Sequence, residues 1–210
     1  MRGSVVFWIR TVKLIGLTGG IGMGKSAAGE WFRTRGLPMT DSDQVAREVC
    51  AAGSPALNEI ASRFGPEVIG EDDGLLRVEL AKRVFDDARN RADLEAILHP
   101  RIRASWKAEA ERWREDGRAV GAVQIPLLFE TGAESEFDAV VCLACSPEVQ
   151  RARLKDRGWD EEEAAQRIAS QLPIREKMER SDFVVWNESG LLELGEQLER
   201  VLRVLGVAEE

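Results

Sequence analysis

The run Gly19-Gly20-Ile21-Gly22-Met23-Gly24-Lys25-Ser26 constrains this chain more than any other feature, and it fits the pattern G-x-x-x-x-G-K-[ST] without a mismatch. Its glycines let the backbone take up positive φ and turn successive N–H groups inward, which makes a cradle for phosphate oxygens. Just ahead, Val12-Lys13-Leu14-Ile15-Gly16-Leu17 is a nearly continuous apolar run ended by glycines, the pattern of a buried parallel strand. Behind the motif, Lys25 to Arg35 reads as a helix stopped by Gly36, and its N-terminal dipole adds to the same anion site. A glycine-rich turn in an unrelated α/β protein could carry the bare string. Between a strand and a helix, the string points instead to a nucleoside triphosphate, with Lys25 reaching the β/γ-phosphates and the Ser26 hydroxyl holding Mg²⁺. It says nothing about where the γ-phosphate goes.

The remaining pattern supplies the fold class. Leu37 to Thr40 is a second strand candidate, ending at Asp41-Ser42-Asp43. Gln44 to Asn90 is mostly helical, broken at Gly53-Ser54-Pro55, Gly65-Pro66 and Asp72-Asp73-Gly74. His99-Pro100 is expected to interrupt the next helical tract, because proline disfavours helical geometry in the residue before it. After that break, Arg101 to Asp116 puts Ile102, Trp106, Ala110 and Trp113 on one stripe, read as packing residues, and Gly117 stops it. Ala119 to Ile125, Phe137 to Cys142 and Phe183 to Trp186 are strands three to five. An Arg- and Glu-rich helical segment, Pro147 to Arg180, separates the last two. The final helix, Leu191 to Leu205, is amphipathic through Leu191, Leu194, Leu198, Val201, Leu202 and Leu205. Strands alternating with helices imply a parallel sheet covered on both faces, a three-layer α/β fold.

Composition narrows the function classes. The 210 residues carry 29 Lys+Arg against 37 Asp+Glu, a net charge of −8, which argues against a general nucleic-acid binder but leaves room for a local phosphate pocket. No apolar stretch is long enough to span a membrane. The opening Met1 to Arg10 has only a short apolar run and no small-residue cleavage pattern, so it is read as a short extension and the chain as cytoplasmic. Three cysteines, Cys50, Cys142 and Cys145, cannot all pair within one chain. Cys142 and Cys145 have C-x-x-C spacing, yet a zinc site needs two more ligands and the chain has a single histidine, so they are read as small apolar residues of a buried strand.

The motif leaves kinase, switch and motor open. A base-reading N-K-x-D is missing: the nearest string, Asn90-Arg91-Ala92-Asp93, lies within a charged helical stretch. The Leu-Ser-Gly-Gly-Gln signature of a transporter ATPase is absent too. Asp41-Ser42-Asp43 instead places carboxylates at the end of strand two, where one can orient an acceptor hydroxyl and take its proton. Helix capping by Asp43 is the competing reading.

Taken in order, the loop, Asp41-Ser42-Asp43, His99-Pro100, Pro126-Leu127-Leu128-Phe129-Glu130 and the string Gln171, Lys177, Asp182, Asn187 resemble the dephospho-coenzyme A kinase family from about Val12 to about Leu205. That resemblance implies one α/β/α domain with a five-stranded parallel sheet and two additions. The core would comprise about 12–43, 117–150 and 181–205, a helical acceptor-binding region about 44–113, and a lid about 151–177. It implies ATP and dephospho-coenzyme A as substrates, Mg²⁺ as cofactor, and no nucleic acid, membrane or obligate protein partner. The catalytic set so implied is Asp43 as base with Lys25 and Arg153. Nucleotide contacts would come from Gly20, Ile21, Gly22, Met23, Gly24, Lys25, Ser26, Ala27 and Arg157, and acceptor contacts from Asp41, Arg47, His99, Leu127 and Glu130. Arg151 and Arg167 are read as solvated charges. Two departures stand out: Ala27 where many such kinases carry a hydroxyl, and Ser181 where alanine is usual. The same scaffold also serves kinases of other small acceptors, and an acceptor-free nucleotide switch is the reading from another class.

Overall fold

The computed structural model describes residues 12–84 and 87–207, so the opening extension lies outside the described residues. The chain divides into two compact units, one made of the segments up to Met39 and from Ala110 onward, the other of Thr40–Glu109.

The first unit is built on a five-stranded sheet, β1 (Lys13–Gly19), β2 (Met39–Asp41), β3 (Val120–Gln124), β4 (Ala139–Ala144) and β5 (Phe183–Trp186), in the order β2-β3-β1-β4-β5. β1 pairs in parallel with β3 (Ile15 opposite Ala122) and with β4 (Leu17 opposite Val141), and β4 with β5 (Cys142 opposite Val184). The strands of the sheet centre are buried on both faces, which is why β1, β3 and β4 read as nearly continuous apolar runs. Alternation still decides which face each side chain serves. Ile15, Leu17, Val120, Ala122, Val141, Leu143 and Val185 meet Ala28, Trp31 and Phe32 of α1 (Lys25–Thr34) and Leu194, Leu198, Val201 and Leu202 of α9 (Leu191–Val204). The opposite face packs against α8 (Ile174–Arg180), with α6 (Pro147–Asp156) and α7 (Glu161–Ala169) preceding it in the chain.

Two aspartates start the parallel ladders. Asp138 donates its N–H to Leu14 O and accepts Leu14 N–H on its carboxylate at 2.8 Å. Asp182 repeats the arrangement with Val140, at 2.7 Å to the carboxylate. Each side chain thereby satisfies a strand-entry amide that would otherwise be orphaned.

The second unit holds α2 (Ser42–Val49), α3 (Pro55–Phe64), α4 (Arg77–Val84) and most of α5 (Ala88–Glu115). Ser54 caps α3, with Pro55 in its first turn. Its core gathers Cys50, Ile60, Phe64, Val68 and Leu80, with Leu94, Ile97 and Leu98 of α5 packed against it. Arg63 ties α3 to α5 through Asp93 at 2.6 Å.

The expected break at His99-Pro100 does not occur: α5 runs through Pro100 as one 28-residue helix. Proline removes one N–H and crowds the carbonyl four residues back. The carbonyl four residues back is that of Ala96; beside it Arg101 donates from its guanidinium to Ile97 O at 2.6 Å and ties this stretch to Glu59 of α3 at 2.5 Å. The Leu94, Ile97 and Leu98 contacts before the proline and the buried Trp106 after it hold the helix on both sides. The stripe that the sequence suggested is otherwise as read, with Trp106, Ala110 and Trp113 all buried. Leu191 is a second correction: in the first turn of α9 it is 72% exposed and does not join the apolar face. No helix among the described residues is long and apolar enough to cross a membrane.

Candidate active site

The glycine loop begins at the end of β1, where Gly19 lies opposite Leu143 of β4. Gly19 has φ 140°, and a Cβ there would collide with the Leu143 carbonyl. At the far end Gly24, at φ 101°, precedes α1 without any side-chain cap, and a Cβ would run into the Asn187 amide. The first turn of α1 contains no acidic residue. Its leading N–H groups therefore face the loop with no carboxylate to compete with an incoming anion. Lys25 donates from Nζ to Gly19 O and Gly20 O at 2.9 Å each, which folds its charge over the loop. Ser26 lies exposed in that first turn, and Ala27 is partly buried against the sheet core.

Three side chains from distant segments brace this loop. Gln150 of α6 donates from Nε2 to Ile21 O at 2.8 Å, and Gln171, between α7 and α8, accepts Ile21 N–H on Oε1 at 3.1 Å. Asn187, just after β5, donates from Nδ2 to Met23 O at 3.1 Å. Met23 itself is buried against Ala144, Cys145, Val149, Ile174 and Met178. Gln171 and Asn187 belong to the string singled out in the sequence, where spacing gave no role. Gln150 was missed, since a lone glutamine in a charged helix gives no signal.

Arg153 is half-buried on α6, and its Nη1 is buried without a hydrogen-bond partner. Its guanidinium lies by the Cys145 thiol, whose pKa burial raises while Arg153 opposes the rise. Glu188 is held below the ordinary carboxyl range, chiefly by hydrogen bonds from Ser146 and with a smaller contribution from the Arg153 charge. Arg157 is the exposed C-cap residue of α6. Arg151 is exposed, and Arg167 stacks on Trp159 at 4.4 Å and pairs with Glu163 at 3.2 Å.

Beyond β3, Leu127 is 37% exposed. The Glu130 carboxylate pairs with the wholly buried Lys177 at 2.8 Å and accepts Leu172 N–H at 2.8 Å. Lys177 also donates to Pro126 O at 2.7 Å. Cys142 lies by the same lysine. Burial pushes its thiol up to about 11, against the opposing charges of Lys177 and Lys25. All three cysteines are free and buried, Cys142 within β4 and Cys145 just after it. Among the described residues no group of three or more His, Cys, Asp or Glu could hold a metal.

Asp41, Asp43, Arg47 and His99 belong to the second unit. Capping falls to Asp41, whose carboxylate accepts Asp43 N–H at 2.9 Å. Asp43 is thus exposed in the first turn of α2, and Arg47 is exposed one turn on along the same helix face. His99 is half-buried within α5.

A family model described as dephospho-CoA kinase matches residues 13–193. The chain is 40% identical over 194 residues to the dephospho-CoA kinase of Bdellovibrio bacteriovorus, covering 92% of this chain and 96% of the relative. Among solved structures it resembles a dephospho-CoA kinase from Campylobacter jejuni, with TM-score 0.69 and 25% identity over 91% of this chain and 96% of that one. A shikimate kinase from Acinetobacter baumannii, with TM-score 0.51 and 16% identity over 94% of this chain and 96% of that one, shares the fold.

Proposed function

Because the chain belongs to the dephospho-CoA kinase family, we propose that it transfers the γ-phosphoryl group of ATP to the ribose 3′-hydroxyl of dephospho-CoA, giving coenzyme A. The observation that carries this reading is a braced glycine loop opening onto an uncapped, acid-free helix start, in a chain matched to the family over nearly its whole length.

Lys25 leaves the Gly19 and Gly20 carbonyls for the β/γ-phosphate oxygens, which offer it full negative charge in place of two dipoles. Ser26 fits Mg²⁺ as a single exposed hydroxyl. Its hydroxyl would hold the ion together with phosphate oxygens of the bound nucleotide. When bound, the ion neutralises phosphate charge and orients the transferred group. The unpartnered Arg153 nitrogen completes its hydrogen bonding on the migrating phosphoryl oxygens, where charge spreads in the transition state, and Arg157 contacts the donor. Asp43 receives the proton of the acceptor hydroxyl, while Asp41 fixes the start of α2 on which Asp43 stands. Arg47, His99 and Leu127 contact the acceptor. Glu130 serves that side by holding Lys177 and Leu172 in place.

The test is incubation with Mg-ATP and dephospho-CoA, with coenzyme A measured by mass spectrometry. Coenzyme A is expected, and Asp43→Asn is expected to lower kcat by about 10²–10⁴-fold. No product, turnover of shikimate or a nucleoside in preference, or an unaffected Asp43→Asn variant would overturn the reading.

A further inference from the structure

Both peptide groups of Ile21 are engaged by side chains from outside the loop. Its N–H goes to Gln171 Oε1 and its carbonyl to Gln150 Nε2. Gln150 is 6% exposed, and α6 lies so close to the loop that a Cβ on Gly22 would meet Leu154 at 3.1 Å and Gln150 at 3.6 Å. Gln171 sits in the connection between α7 and α8, where its own N–H bonds Ile168 O and the next residue, Leu172, is tied to Glu130. The segment carrying Arg153 and Arg157 therefore begins and ends on the same loop residue. One amide anchors its first helix, the other its last connection.

We propose that Gln171, acting with Gln150, is a positioning residue for the donor nucleotide. The two amides lock the Ile21 peptide groups so that the N–H groups which follow it face the triphosphate. The same pair couples the placement of the α6–α7 segment, and hence of Arg153, to the state of the loop. Glutamine suits both places because one type of side chain offers an acceptor to the N–H and a donor to the carbonyl, without adding a charge beside anionic phosphates. A carboxylate at 171 would keep the acceptor but repel the donor, and an ammonium at 150 would keep a donor but compete with Lys25 for phosphate.

The inference rests on the kinase reading only for the identity of the nucleotide. Its first readout is Mg-ATP binding to the intact protein by calorimetry, which needs no acceptor. Gln171→Leu keeps an apolar stem but removes the acceptor and leaves the Ile21 N–H unpaired. It is expected to weaken ATP binding and raise the KM for ATP about tenfold, with the KM for dephospho-CoA within twofold of wild type. Gln150→Leu is expected to act the same way. Because both side chains hold one residue, the double variant is expected to lose less than the product of the two single effects. Gln171→Glu is expected to melt like wild type yet bind ATP more weakly. Unchanged ATP affinity in Gln171→Leu, equal losses for both substrates, or fully multiplicative effects in the double variant would overturn the proposal. A wild-type protein that binds ATP but makes no coenzyme A would instead sink the kinase reading.

Discussion

Lys177 offers a sharp test of how this fold holds its central loops. Its side chain has no solvent exposure, and Nζ reaches Pro126 O at 2.7 Å and the Glu130 carboxylate at 2.8 Å. Lys177→Met keeps the aliphatic stem but removes the cation. Among the described residues Glu130 would then keep the Leu172 N–H as its partner while its side chain is 20% exposed, and Pro126 O would lose a donor. Breaking one side of a buried pair costs about 3–5 kcal/mol, and the remaining access of Glu130 to water places this case at the lower end, about 3 kcal/mol. For a chain of this size that corresponds to a fall in Tm of roughly 6–12 °C. Thermal unfolding followed by circular dichroism measures it, with Glu130→Gln and the double variant completing a cycle. The double variant should recover part of the loss, because the stranded charge has gone with its partner. A fall of under about 2 °C for Lys177→Met, or strictly additive effects in the cycle, would refute the reasoning.

Two further outcomes follow from the same geometry. Lys25→Ala should abolish measurable phosphoryl transfer, a loss of at least about 10³-fold, while Tm stays within about 3 °C of wild type; an active variant or a collapsed fold would contradict the role given to this ammonium. The Cys142 thiol titrates at about 11 in the folded chain against 9.0 when unfolded, so it contributes stability that is complete below pH 9 and lost as pH rises toward 11. The loss is of order 3 kcal/mol, and the chain has no tyrosine to confuse that window. Urea unfolding between pH 8 and 10.5 should therefore fall less steeply for Cys142→Ala than for wild type.

Legibility in the sequence followed the range of the interactions. β1, the loop and α1 were readable because an apolar run, a glycine cluster and a helix stop are neighbours in the chain, and each enforces its own local geometry. The five strands were found for the same reason, with edges shifted by up to about two residues, as at β4, which runs Ala139–Ala144 where the apolar pattern was read as Phe137 to Cys142. Pro100 misled because its local penalty is real, while what outweighs it comes from Glu59 and a hydrophobic cluster far away in sequence. Leu191 misled in the opposite way: the helical period reaches it, but the sheet does not. At Asp41 and Asp43 the sequence offered both a cap and a base, and only the backbone of α2 assigns the cap to Asp41. Gln150 had no signal at all, since its partner is a main-chain carbonyl 129 residues away.

The most direct measurement is a crystal structure of the chain grown with Mg²⁺ and a non-hydrolysable ATP analogue. The account predicts the β-phosphate within hydrogen-bond distance of the main-chain amides between Gly22 and Ser26, with Lys25 moved from the Gly19 and Gly20 carbonyls onto the phosphate oxygens. A triphosphate bound away from this loop, with Lys25 still on those two carbonyls, would contradict it.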